Sequence, residues 1–463
     1  MAYELLLMLE RGTDLPQAID KLNTKHGHCD TQVYASILND LKASGLFCSI
    51  PAWPPVSDQT FAPLWCHHPC RIQLMMAESC NLRCGYCYAW RNDCNDKRTL
   101  MAWRVARTAV DHLVWRSAGR PNLQVTFFGG EPLLNLKVIK QTVEYCKSIE
   151  EHGGRKFVFE LITNGTLLTQ EVTDYLIEHR FLLFISLDGW REMHNYNRPA
   201  VDGSDQHDTI LQNAIYANQQ YQAHGLPKVK LRANLTDRYT DVRKVASYFE
   251  SHGFTYIGIG PIEPLPHGDN CGLALSEEQM EELMVAGTDQ LVDALDALKQ
   301  NKKVGPYVSR LLHKTVKAMT TRSTPGVVCG VCRNTAIVDN KGFVYPCHRY
   351  AGMDQYRMGS VFTGIEKRLV LDYYGKLASR AIADCQDCWI RDFCAGGCPW
   401  CLSDKHGNVH KPSKVSCDRR RTMAERGLWL RKELLAIRPA MFENDVRERI
   451  DDWCWPPESN SCR

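Results

Sequence analysis

Three cysteines fall within eight residues, Cys80-Asn81-Leu82-Arg83-Cys84-Gly85-Tyr86-Cys87. Thiolates spaced this closely bind metal, and iron–sulfur clusters are held by Cys thiolates, usually four of them. Three on one loop leave one iron with an open position unless a fourth ligand is recruited, as a catalytic metal needs. Structural zinc is the other chemistry open to clustered cysteines in a reducing compartment. A second block lies toward the C-terminus: Cys329-x2-Cys332, Gly342, Cys347, then Cys385-x2-Cys388-x5-Cys394-x3-Cys398 and Cys417. Its eight thiolates can complete two separate four-Cys sites, for zinc or for iron and sulfide.

These residues need a scaffold, and the chain between them alternates strand and helix signals. Apolar runs at 72–76, 123–128, 157–162, 181–187, 229–235 and 256–259 read as strands. Helical periodicity fills 100–117, 136–149, 170–179, 208–224 and 241–252. This βαβ rhythm predicts an α/β fold with a parallel sheet, whose sites lie at the carboxyl ends of the strands. Polar motifs fall at those ends: Gly129-Gly130-Glu131-Pro132, Thr163-Asn164-Gly165, Ser186-Leu187-Asp188-Gly189, and then Arg198. Glycines permit close backbone approach, and a carboxylate such as Glu131 accepts from an ammonium group. Read without further context, Pro132 starts a helix, and Asn164 and Ser186 are turn residues.

The three-Cys loop followed by Gly-Gly-Glu-Pro at the end of the next strand resembles a radical SAM enzyme over residues 70 to 265. The resemblance implies a partial (β/α)6 barrel. It assigns Cys80, Cys84 and Cys87 to a four-iron cluster whose open iron is chelated by S-adenosylmethionine. One electron then cleaves the sulfonium to a 5′-deoxyadenosyl radical that abstracts hydrogen from substrate. By the same resemblance Gly129, Gly130 and Glu131 receive the methionine amino group, and Tyr86 stands beside the adenine. Asn164, Ser186 and Arg198 contact the ribose and the methionine carboxylate, which suits the planar fork of Arg.

The C-terminal block, with Cys332-x9-Gly342-x4-Cys347 ahead of the last five cysteines, resembles the SPASM extension. This implies two auxiliary clusters, three four-iron clusters in all. Cys329, Cys332, Cys347 and Cys398 hold the first of the two; Cys385, Cys388, Cys394 and Cys417 hold the second. Cys401 reads as a spectator. In SPASM enzymes that oxidise a sulfatase Cys or Ser to formylglycine, an Asp follows the position of Cys347 and acts as base. Here His348 stands there, within Tyr345-Pro346-Cys347-His348. That pattern is closer to peptide maturases that join a Cys sulfur to a carbon of another residue, with His348 as candidate base.

The expected domains are a helical unit at 1–48, a Pro-rich linker at 49–70, the barrel at 71–300, the SPASM domain at 301–425, and a helix and tail at 426–463. The first unit reads as three short helices, the second capped by Thr13-Asp14 over Ile19 and Leu22. It resembles the helical part of a winged-helix domain that grips leader peptides by β-augmentation, without that family's leading strands. A DNA-binding helix-turn-helix and a plain packing domain are the other readings, the former short of basic residues. His67 and His68 between Cys66 and Cys70 read as structural.

Composition sets the bounds. A chain of 463 residues with 44% hydrophobic and 24% charged content has room for two to three domains of ordinary globular make-up. A net charge of +3 gives no electrostatic footprint for nucleic acid or a membrane surface. No apolar run of about eighteen residues and no export leader is present. Twenty-one cysteines without an export signal favour metal over disulfides, hence a cytoplasmic protein. The sequence thus predicts a radical SAM maturase that oxidatively crosslinks a peptide or small protein, with or without a leader, through a thioether or carbon–carbon bond. A flavodoxin or ferredoxin supplies its electrons. Formylglycine formation on a sulfatase is the alternative within enzymes; a non-catalytic iron–sulfur scaffold is the alternative outside them.

Overall fold

The computed structural model describes residues 13–26, 69–91, 99–153, 155–262, 272–318, 335–402 and 414–437. The expected first and third N-terminal helices, His67 and His68, Cys329, Cys332 and the tail at 451–463 lie outside these. Of the N-terminal unit, α1 (Leu15–His26) is described, and Asp14 caps it by accepting from Gln17 N at 2.9 Å.

Six strands follow in chain order: β1 (Arg71–Ala77), β2 (Asn122–Gly129), β3 (Lys156–Thr163), β4 (Leu182–Ser186), β5 (Lys230–Leu235) and β6 (Ile257–Pro261). Each pairs parallel with the next, so every connection is a crossover, and helices supply it. The crossover helices are α2 (Trp103–Arg116), α3 (Leu136–Gly153), α4 (Gln170–Glu178), α5 (Arg191–Asn197), α6 (His207–Ala223) and α7 (Val242–Ser251). Each predicted strand and long helix of this stretch is present within a few residues of its expected bounds. Two long helices, α8 (Glu277–Lys299) and α9 (Pro306–Ala318), come after β6.

Strand alternation splits the sheet into two faces. Ile72, Leu74, Val125, Phe127, Phe159, Leu161, Leu183 and Ile185 point to the helices and are buried in one continuous core. There the rings of Phe127, Phe159 and Phe181 stack with centroids 5.4–6.4 Å apart. The opposite face carries Gln73, Gln124, Thr126, Glu160 and Lys230, polar but buried. Gln124 donates to Thr126 at 3.2 Å and Thr126 to the Glu160 carboxylate at 3.0 Å, because buried polar groups must find partners.

The sheet does not stop at six strands. β7 (Thr335–Val338) pairs parallel with β1, and β8 (Val344–Tyr345) pairs antiparallel with β7, giving the order β6-β5-β4-β3-β2-β1-β7-β8. The Asp339 carboxylate shapes the β7–β8 turn by accepting from Lys341 N and Phe343 N at 2.9 and 2.8 Å. Gly342 sits there at φ +91°, open to glycine and strained for other residues. Beyond come β9 (Gly359–Ser360), β10 (Gly364–Ile365), α10 (Lys367–Cys385), α11 (Arg391–Cys394), α12 (Pro399–Leu402) and α13 (Lys414–Ile437). α13 begins ahead of the charged stretch expected from residue 418 and packs on α8 and α9 through Leu430, Leu434, Leu291, Leu295 and Leu312. Among the described residues no helix is long and apolar enough to cross a membrane.

Candidate cofactor site at the barrel mouth

The loop after β1 carries Cys80, Cys84 and Cys87 across the carboxyl ends of the strands and is fastened by its backbone. Arg83 N donates to Pro199 O at 2.7 Å, Gly85 N to Asn197 O at 3.0 Å, and Val201 N to Asn81 O at 3.0 Å. Burial pushes the Cys80 thiol up to about 12, helped by the Glu131 carboxylate, and raises Cys84 further. Donors meet the two sulfurs. Leu82 N lies 3.4 Å and Asn164 Nδ2 3.6 Å from Cys80 Sγ, while an Arg198 nitrogen stands 3.8 Å from Cys84 Sγ. N–H groups aimed at sulfur favour its anionic form and tune a bound cluster. Among the described residues no three His, Cys, Asp or Glu groups converge on a single metal ion. A four-iron cluster draws one thiolate per iron, so its ligands need not converge so closely.

Gly129, Gly130 and Glu131 close the end of β2. The glycines are required here by protein backbone: a Cβ on Gly129 would stand 2.6 Å from Ala77 O, and one on Gly130 2.1 Å from Ser79 O. Gly130 N and Glu131 N donate to those same oxygens at 2.7 and 2.9 Å. The Glu131 side chain is 0% exposed and accepts from Leu133 N at 3.0 Å, Thr163 Oγ1 at 2.7 Å and Asn164 N at 2.8 Å. It ties the end of β2 to the end of β3. Burial raises its pKa to about 7 despite these donors. Asn164, beyond β3, links onward, its Nδ2 2.9 Å from Asn81 Oδ1.

Asp188 organises the other side and was given no role from sequence. Fully buried, it accepts from Tyr86 OH at 2.5 Å, Asn197 Nδ2 at 3.3 Å and Asn234 N at 2.9 Å, and pairs with Arg198 Nε at 3.0 Å. Burial disfavours the Arg198 cation, but Asp188, Tyr86 and Cys84 together more than offset this and keep it charged. The Tyr86 ring lies under the Arg198 guanidinium, 5.4 Å from its centroid. Ser186 ends β4 opposite Arg232 of β5, half-buried. A Ser-Leu-Asp-Gly turn at a strand end was the available signal for Asp188; its partners came from three separate elements.

His348 also reaches this mouth. Its ring sits 5.1 Å from Phe128, at the end of β2, and 5.7 Å from Tyr88, next to Cys87. Burial, with Arg349 adding to it, lowers its pKa to about 4. Tyr88 in turn faces Trp400 at 6.3 Å, joining the mouth to the C-terminal block.

In that block Cys388 and Cys417 lie near Cys394, and Cys388 near Cys417; burial raises Cys394 and Cys417, while Arg420 and Arg421 oppose. Cys388 N donates to Cys385 O at 3.0 Å, which places Cys385 alongside. Cys398 belongs elsewhere: Cys401 hydrogen-bonds to it and Arg349 lies near, lowering its pKa to about 6. Ala395, Gly396 and Gly397 all have positive φ, a reversal between Cys394 and Cys398 that two glycines allow.

The radical SAM superfamily model matches residues 74–231. The cysteine-type anaerobic sulfatase-maturating enzyme of Clostridium perfringens is 26% identical over 72% of this chain and 89% of its own length. The radical SAM cyclopropyl synthase TigE of Paramaledivibacter caminithermalis is 22% identical, over 75% of this chain and 71% of its own length. Among solved structures, native anSMEcpe with bound AdoMet and Cp18Cys peptide shares the fold at a TM-score of 0.62 and 20% identity. It covers 80% of this chain and 99% of that one. The parallel sheet and the three-Cys loop across its carboxyl edge agree with the superfamily match: residues 74–231 carry a radical SAM domain.

Proposed function

We propose that this enzyme is a peptide or protein maturase in which the Cys80–Cys84–Cys87 loop holds a four-iron cluster that binds S-adenosylmethionine. The observation that carries this is the loop itself: three thiols on one segment, two of them met by N–H donors, beside Gly129-Gly130-Glu131. These residues fit the group. When bound, cluster and S-adenosylmethionine together supply a 5′-deoxyadenosyl radical, which takes hydrogen from substrate. Asn164, Leu82 N and Arg198 steady the sulfurs. Glu131 fixes the strand ends through its three donors, so it serves the methionine amino group mainly by setting the Gly129–Gly130 backbone. Tyr86, Ser186 and Arg198 complete the nucleoside and carboxylate contacts.

The grouping of Cys388, Cys394 and Cys417 with Cys385 nearby supports one auxiliary cluster; Cys347 and Cys398, with Cys329 and Cys332, make up the other. Two more clusters suit an oxidation that removes a second electron after hydrogen abstraction. The reaction proposed is an oxidative crosslink, thioether or carbon–carbon, in a ribosomally made peptide or small protein. A flavodoxin- or ferredoxin-type donor supplies the first electron. His348, at the mouth between Phe128 and Tyr88, is the candidate base.

Formylglycine formation is the second reading, favoured by likeness to enzymes named as anaerobic sulfatase-maturating and by a related fold with a Cys-containing peptide in its name. His348 in place of the Asp of that activity argues for the crosslink. Anaerobic incubation of the reconstituted enzyme with a cysteine-type sulfatase peptide and, separately, with leader-bearing Cys-rich peptides distinguishes them. Mass spectrometry reads loss of two hydrogens for a crosslink, or replacement of the thiol by an aldehyde. An aldehyde product from the sulfatase peptide alone overturns the crosslinking reading.

A further inference from the structure

Two glycines on β6 make room for two guanidinium groups. The position a Gly258 Cβ would take is 3.3 Å from a terminal nitrogen of Arg310 and 3.8 Å from Arg232 Cδ. At Gly260 the Arg232 terminal nitrogens stand 3.5 and 3.6 Å away. Arg232 comes from β5, and its side chain rises over the face of β6, the strand that ends the described sheet. Arg310 comes from α9 and is fixed in place. It donates to Ile257 O at 2.7 Å and to Tyr256 OH at 3.1 Å, and its guanidinium lies 3.9 Å over the Tyr256 ring. One turn on, Lys314 adds a third cation.

Arg232 and Lys314 have no hydrogen bond or ion pair with the described residues, and the surface of each is exposed. Both nevertheless sit where surrounding protein disfavours their charge, and both are further disfavoured by Arg310. Asp188, the acid that bears on Arg232, is already occupied by Tyr86, Asn197, Asn234 and Arg198. Like charges gathered over Gly258 repel one another, and a bound anion relieves that repulsion.

We propose that Arg232, Arg310 and Lys314 form a carboxylate subsite at the β6 edge of the barrel mouth, which selects peptide substrates carrying an Asp or Glu near the residue attacked. The inference rests on the maturase reading and names its substrate class. Arg310, held by Ile257 and Tyr256, presents a planar fork of fixed direction, and Arg232 and Lys314 close around the bound carboxylate.

The test is equilibrium binding to full-length reconstituted enzyme with S-adenosylmethionine present. The probes are a blocked hexapeptide, Ala-Gly-Cys-Gly-Asp-Ala, and its Asn counterpart. The Asp peptide binds about tenfold tighter in the wild type, as expected of charge-assisted hydrogen bonds over neutral ones. Arg232→Leu and Lys314→Met, tested separately, bring the ratio toward one, and Arg232→Lys retains part of it. Equal binding of both peptides by the wild type overturns the proposal, as does an undiminished ratio in both variants. S-adenosylmethionine affinity is measured in parallel. If the variants lose that affinity with the peptide ratio intact, the cations serve the methionine carboxylate and the proposal falls. Asp preference in a wild type that forms no 5′-deoxyadenosine supports the subsite and overturns the maturase reading instead.

Discussion

The barrel and the C-terminal cysteine block are held together by different means. In the barrel, Phe127, Phe159, Leu161, Ile185 and Leu231 are buried in long parallel strands, and their core runs on through β7 and β8 to Tyr350, Tyr373 and Trp400 but not to Cys388 and Cys394. Beyond β7 the described strands are two residues long, and among the described residues the apolar cluster around Cys388 and Cys394 buries Ile390 and Ala424 alone. There Cys388, Cys394 and Trp389 pack as part of the apolar material itself. A region whose ligands are also its packing couples its folding to what those ligands bind. The expectation is that the barrel stands without its cluster and that the stretch around Cys388 and Cys394 does not.

The sharpest way to break that contrast is to remove three thiols at once. A Cys388→Ala/Cys394→Ala/Cys417→Ala variant should be cut rapidly by protease within 385–437 while 71–262 stays protected. Equal resistance of both regions would mean the block folds without its metal. Next in size, Phe127→Ala should cost about 3–5 kcal/mol by chemical denaturation, the toll for a cavity in a tight core. A loss under about 1 kcal/mol would show the barrel core to be less cooperative than its packing implies.

Glu131 tests the junction between scaffold and site. Its folded pKa of about 7 lies above the ordinary carboxyl value because burial penalises the anion. The stability it contributes is therefore full below about pH 4.5 and is lost as pH rises through about 7. The span is on the order of 3 kcal/mol. Glu131→Gln should flatten that part of the stability profile; an unchanged slope would assign the dependence to other groups. Smallest of these effects, Tyr373→Phe removes the hydroxyl that donates to Tyr350 OH at 3.1 Å and should cost about 1 kcal/mol. A larger loss would give the aromatic cluster of Tyr350, Tyr356, Tyr373 and Trp400 a greater share in holding the block than its packing suggests.

The same contrast explains what could be read from sequence. Six strands were legible because parallel strands buried on both faces spell predominantly apolar runs bounded by turns, broken here by single polar residues such as Gln73, Thr126 and Glu160. β7 was not, since four residues inside a cysteine-rich stretch carry little signal and the pairing with Arg71–Leu74 is a long-range event. α8 was missed although Ser276 and Gln279 form a capping box that a sequence displays. The motif positions were placed correctly at strand ends, but motif chemistry was only partly legible. Gly129 and Gly130 were read as making room for a ligand; the backbone of Ala77 and Ser79, close to where their Cβ atoms would stand, gives a second reason for glycine that the sequence did not show. Asp188 and Arg232 were passed over because what marks them is their surroundings. One gathers Tyr86, Asn197, Arg198 and Asn234 from distant segments; the other stands beside glycines of the neighbouring strand.

The central claim, radical chemistry launched from the Cys80–Cys84–Cys87 loop, is tested most directly by comparing wild type with a Cys80→Ala/Cys84→Ala/Cys87→Ala variant. Both are purified and reconstituted without oxygen, assayed for iron, and given S-adenosylmethionine and dithionite. The account predicts about twelve irons falling to about eight, with 5′-deoxyadenosine formed by the wild type alone. 5′-Deoxyadenosine produced equally by the variant, or a wild type that forms none, would contradict it.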